Sequence, residues 1–225
     1  MRARLKILLA GRADQLARWL DEPGPGWPLL CAGVIVLGGG IYGVTLGLWR
    51  SPTQAAYTAV KFPLLVFLTC GANAALNGML AQVLGLELSV RQTTQTILMS
   101  FALAALILCA FSPVTLFLLW NTPALSEHQR AAHSFLLSIH VALIAFAGIL
   151  ANWRLLRLLE RLSTSIAMAR TILVCWLAGN LFLGSQLAWV LRPFVGTPGL
   201  PVQFLRSYPL RGNFFESVLY ALRHL

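Results

Sequence analysis

Acidic side chains are nearly missing from this sequence. Its 225 residues hold seven Asp and Glu against 17 Lys and Arg, and charged residues make up only 11%. A water-soluble domain carries about 25%, so the chain is short of the polar surface that a globule in water needs. The acids are Asp14, Asp21, Glu22, Glu87, Glu127, Glu160 and Glu216. None falls in the middle of an apolar run. That argues against the buried carboxylate of proton or cation coupling and against paired-acid catalysis. Cysteine is scarce too. Cys31, Cys70, Cys109 and Cys175 lie in four separate apolar runs without metal-type spacing, so neither a disulfide nor a metal site is expected. No internal repeat is seen, and no loop is long enough for a separate soluble domain. Leu8-Leu9-Ala10 is too short an apolar stretch for a secretory signal, because Arg12, Asp14 and Arg18 soon interrupt it.

What the chain has is hydrophobicity: 58% apolar residues and a mean hydropathy of +0.75. Five apolar runs cover residues 28–49, 59–86, 94–120, 132–153 and 166–191. Each can cross a hydrocarbon core of about 30 Å at about 1.5 Å per helical residue. The reading is an all-α polytopic transmembrane bundle of five spans with amphipathic interfacial helices at both ends. Residues 1–22 form a basic cytoplasmic helix, 23–28 a Pro/Gly linker, 28–191 the bundle, and 192–225 an interfacial turn with a C-terminal helix. In the first helix Leu5, Leu9, Leu16, Trp19 and Leu20 would face the membrane, with Arg2, Lys6, Arg12 and Arg18 towards water. Trp27, Trp49, Trp120, Trp153 and Trp189 fall near span ends, as an aromatic belt requires; Trp176 does not.

The net charge is +10. In a soluble protein that would suggest nucleic acid. Here the bases sit between apolar runs and at the two ends, so the expected partner is a bilayer with anionic headgroups and no nucleic acid is expected. The N-terminus, Arg91, Arg154, Arg157, Arg161 and Arg170 outweigh Arg50, Lys61 and Arg130 on the opposite side. This favours a cytoplasmic N-terminus, with the basic tail weighing the other way.

A few residues are costly or unusual in a membrane. Gly39, Gly43 and Gly47 stand four apart in the first span, a ridge that suits close helix packing within the bundle or a face for a partner. Asn73 and Asn77 share a helical face in the second span. Asn180 and Gln186 of the fifth are candidate partners, as are Ser138 and His140 of the fourth; the group reads as an interhelical clamp or as the lining of a polar cavity. Pro113 interrupts the third span and should bend it. His128 and His133 are five apart, a poor spacing for a shared metal. The run from Trp153 to Arg161 continues the fourth helix into the headgroups.

The most distinctive segment is the tail, Trp189-Val190-Leu191-Arg192-Pro193-Phe194-Val195-Gly196-Thr197-Pro198-Gly199-Leu200-Pro201. Pro193 ends the last span, and Arg192 can reach phosphates or helix carbonyls. Later, Asn213 can cap a helix whose Glu216 reaches back. Together with Tyr42-Gly43-Val44-Thr45-Leu46-Gly47-Leu48-Trp49-Arg50, this tail resembles a family of bacterial polytopic membrane proteins that has no established activity, over most of the chain after Trp27. The five-span plan is also similar in architecture to the Yip-type family; neither resemblance supplies a catalytic residue or a partner. The expected function is a non-enzymatic scaffold or subunit of a membrane protein assembly in the bacterial cytoplasmic (inner) membrane, holding a membrane protein partner or itself, without a cofactor. The alternative is a small transporter, channel or lipid-handling protein.

Overall fold

The computed structural model describes residues 2–22, 24–123, 130–196 and 199–216. The main helices are α1 (Arg2–Ala10), α2 (Ala13–Asp21), α3 (Gly26–Leu48), α4 (Pro52–Val83), α5 (Val90–Trp120), α6 (Arg130–Leu162) and α7 (Ile166–Val190). Five of them, α3 to α7, are long and apolar enough to cross a membrane. The protein is an all-α polytopic bundle.

Local chemistry sets the helix starts. Ser51 accepts from the Gln54 N–H at 3.0 Å with Pro52 just behind it. Ser89 and Gln92 form a reciprocal capping box, and Ser165 accepts from the Met168 N–H at 3.2 Å. The Ser51 cap starts α4 seven residues ahead of the expected 59, and α6 runs unbroken through the basic stretch to Leu162. α5 passes through Pro113 as one helix, and α4 likewise carries Pro63.

Around the bundle, α3, α4, α7, α6 and α5 follow one another in a ring, and α4 also touches α5 across it. α3 is the most enclosed, with half of its apolar window buried; only 17% of the α7 window is, so the outer faces of α6 and α7 are left uncovered by the bundle. Successive spans alternate in direction. One end therefore gathers α1, α2, the 84–89 loop and the 163–165 turn, and the other gathers the 49–51 turn and the tail after α7.

The N-terminal segment corrects the expectation of one membrane-facing helix. Gly11, at φ +59, breaks it into two short helices. These fold back on the bundle and bury Leu8, Leu16, Trp19 and Leu20 against α3, α5 and α6. Only Leu9 of the expected lipid face is well exposed. Polar contacts hold the pair in place: Arg154 donates to the Ala10 carbonyl at 2.7 Å, Arg161 pairs with Asp14 at 2.8 Å, and Arg91 donates to the Leu20 carbonyl at 3.3 Å. Trp27 stands in the first turn of α3, at a span end as expected, but it is covered rather than exposed: it stacks on Trp19 and donates to Glu22 at 2.8 Å. Trp120 and Trp153 are exposed as an aromatic belt requires, whereas Trp49 is buried and donates to the Pro123 carbonyl at 3.2 Å.

Candidate functional site

Glycine makes the α3–α4 contact possible. A Cβ on Gly43 would stand 2.5 Å from the Thr58 carbonyl oxygen, and one on Gly47 2.5 Å from that of Gln54; on Gly39 it would press on Phe62. The ridge is thus turned inward and occupied by α4. The stretch of α4 that it receives carries Gln54, Thr58 and Lys61. At i, i+4 and i+7 these share one helical face, and that face receives the tail.

α7 ends because Pro193 has no N–H to continue it. The chain then dips against α4 instead of leaving along the interface. Gln54 Nε2 donates to the Pro193 carbonyl at 2.9 Å and to the Phe194 carbonyl at 2.8 Å. Thr58 Oγ1 shares its one hydroxyl proton between the Gln54 carbonyl of its own helix at 2.8 Å and the Phe194 carbonyl at 3.0 Å, and Lys61 Nζ donates to the Pro193 carbonyl at 2.9 Å. Two irregular carbonyls packed against α4 are therefore each within reach of two side-chain donors, which is how backbone groups outside a helix are satisfied away from water. Gly196, at φ +80, lies against the Arg50 stem, and Arg50 donates to the Leu200 carbonyl at 2.7 Å. Val195 joins the apolar cluster of Tyr42, Leu46, Leu108 and Ala147. Phe204 meets Tyr57 edge to face at 5.3 Å.

Lys61 is the residue whose role sequence reasoning missed. Counted there only among the charges of the Arg50 side, it is fully buried in α4, with its ammonium 4.9 Å from the Phe204 ring centroid and 5.9 Å from that of Phe194. Aromatic faces and a carbonyl offset part of the cost of burying the charge. The signal was present in Ser51-Pro52: read as a helix start, it puts Lys61 about two and a half turns into the span.

Farther along the tail, Arg192 stacks on Trp189 at 3.7 Å and donates to three carbonyls: Trp189 (2.6 Å), Pro209 (3.4 Å) and Arg211 (3.4 Å). Burial and the neighbouring Arg206 cation lower the Arg192 pKa from the guanidinium range. The Glu216 N–H donates to Asn213 Oδ1 at 2.8 Å, the forward half of the expected cap. Residues 214–216 begin the helix expected after Asn213; its continuation beyond Glu216, like Pro198, lies outside the described residues.

The amide cluster divides. Asn73 Nδ2 donates to Asn180 Oδ1 at 3.0 Å and to the Gly179 carbonyl at 3.2 Å, clamping α4 to α7. Asn77 lies beside them, its backbone carbonyl accepting from the Trp176 indole at 3.0 Å. Asn73 Oδ1 and both side-chain atoms of Asn77 are buried without a partner among the described residues. Gln186 stands apart and accepts from the Phe214 N–H at 3.4 Å, serving the tail. His140 Nδ1 faces the Tyr42 hydroxyl at 2.9 Å, joining α6 to α3, and Ser138 bonds within its own helix. His128 is outside the described residues. Among those described, no three His, Cys, Asp or Glu side chains converge on a point that could hold a metal.

No protein-family model, curated protein or solved structure matches this chain.

Proposed function

We propose that this multi-pass membrane protein is a non-enzymatic scaffold or subunit of a larger membrane assembly. It would sit in the bacterial cytoplasmic membrane with its N-terminus in the cytoplasm. The observation that carries this reading is where the polar groups inside the bundle are used. Gln54, Thr58 and Lys61 hold the tail, Asn73 and Asn180 join two helices, and Tyr42 with His140 joins two more. These groups fix the shape of the molecule rather than line a path across it. The fixed tail presents bases and aromatics at one face, and the broad apolar sides of α6 and α7 are open to a second protein. The tail motif behind the family resemblance is the segment so fixed.

The test is extraction at native expression level into mild detergent, followed by native mass spectrometry. A retained partner, or a homo-oligomer, is expected. A strictly monomeric, partner-free species would overturn the proposal.

A second reading, a small transporter or lipid-handling protein, is favoured by the unpartnered amide atoms of Asn73 and Asn77, which would suit a polar ligand. Reconstituted liposomes decide it. Solute flux or lipid scrambling that disappears in Asn77→Leu would establish this reading, and its absence in the wild-type protein would remove it.

A further inference from the structure

The two ends of the molecule differ in how their charge is balanced. Both ion pairs found among the described residues, Arg4–Glu22 and Arg161–Asp14, lie at the N-terminal end. At the tail end Lys61, Arg192 and Arg206 come together, and none of them has a carboxylate within ion-pair distance among the described residues. The backbone explains the convergence. Phe204 lies on the Lys61 ammonium, and the Pro209 carbonyl receives the Arg192 guanidinium. Arg206 stands between those two anchor points on the same short segment.

The three cations are differently engaged. Lys61 is sealed beneath the aromatic rings, with one of its three N–H groups given to Pro193. Arg192 is half-buried and spent on carbonyls. Arg206 is half-buried too, yet its fork of N–H donors has no acceptor among the described residues. Like charges gathered in partly dry surroundings repel one another unless an anion completes the group. An arginine fork matches two oxygens of a phosphate.

We propose that Arg206, flanked by Arg192 and backed by the field of Lys61, is a phosphate-binding site at the tail end of the bundle. The chemistry recognised is the phosphate oxyanion, borne either by a phospholipid headgroup of that leaflet or by a soluble phosphate. The inference does not depend on the scaffold reading.

Full-length protein is compared in two settings: nanodiscs of phosphatidylcholine with or without phosphatidylglycerol, and phospholipid-free detergent titrated with inorganic phosphate. Bound lipid is counted by native mass spectrometry, and phosphate binding by the shift in thermal unfolding. Arg206→Gln should weaken binding on the order of tenfold, and Arg206→Lys, which keeps the charge without the fork, by less. Arg170→Gln, an exposed charge at the other end, should change nothing. Loss confined to the nanodiscs identifies a headgroup; loss in the phosphate titration as well identifies a soluble ligand. The proposal is overturned if wild-type protein binds in neither setting, if Arg206→Gln binds as wild type, or if Arg170→Gln loses as much. A variant that misfolds is recognised by trypsin cutting the tail at Arg211, and Arg206→Lys then carries the comparison.

Discussion

Gly43→Leu is expected to open the bundle from within. The new Cβ would lie 2.5 Å from the Thr58 carbonyl oxygen and 2.9 Å from Ala59 Cα, and both are backbone atoms that no rotamer change can remove. α4 must move away from α3 as a body. Overpacking of this kind costs about 1–3 kcal/mol in a packed core, and here the cost extends further because the displaced turn of α4 also carries Gln54 and Thr58. The variant should therefore unfold several degrees lower in detergent and lose its grip on the tail in the same step. Gly33→Ala supplies the contrast within the same helix. Nothing lies within 4 Å of its Cβ position, so that substitution should be neutral or should stabilise by up to about 1 kcal/mol through helix propensity. Equal destabilisation by the two variants would show that the α3–α4 contact is not as close as described.

The second large effect concerns the tail, and it should be strongly non-additive. The Pro193 carbonyl is held by Gln54 and Lys61, and the Phe194 carbonyl by Gln54 and Thr58. Gln54→Leu or Thr58→Val alone leaves each carbonyl at least one donor, so each single change should release the tail only slightly. Together they strip the Phe194 carbonyl of both donors. An unsatisfied buried acceptor costs about 1–3 kcal/mol, on top of the bonds lost. The double variant should raise the undocked fraction roughly 100-fold, for about 3 kcal/mol in total. Limited trypsin digestion at Arg206 and Arg211 reads this directly. Additive single effects would refute the shared-donor arrangement. Lys61→Met should do less than the double variant. It removes a charged hydrogen bond worth about 1.5–3 kcal/mol, but it also abolishes the cost of burying an ammonium, and the two oppose each other.

Much of the architecture was legible because hydropathy and length are enough to find membrane spans. The five runs, the continuation of the fourth helix to Leu162 and the end of the fifth at Pro193 all come from composition and local breakers. What was not legible depends on which elements meet. Leu16, Trp19 and Leu20 form an apolar stripe that would suit either lipid or a protein surface, and only the reversal at Gly11 and the reach of Arg154 and Arg161 decide between them. The clamp of Asn73 with Asn180 was visible as a likeness of chemistry, whereas Gln186, equally polar and one helix turn and a half farther on, serves the tail. Lys61 was hidden by the convention that a lysine near a span end belongs to the headgroups. Its burial depends on carbonyls and rings supplied by residues more than a hundred positions later, which no local window contains.

The closures at the two ends also fix an order of assembly. Ala10 waits for Arg154, 144 positions later, and Gln54 waits for Pro193, 139 positions later. During synthesis the seat of the N-terminal helices against α3 and α5 is not completed by α6 until the fourth crossing has been made, and the second crossing carries an uncovered ammonium until the tail after the fifth has formed. A chain stalled before its fourth crossing would therefore display both unfinished surfaces in the membrane. Such a fragment should be removed by membrane proteolysis much faster than the finished protein, whatever the finished protein assembles with.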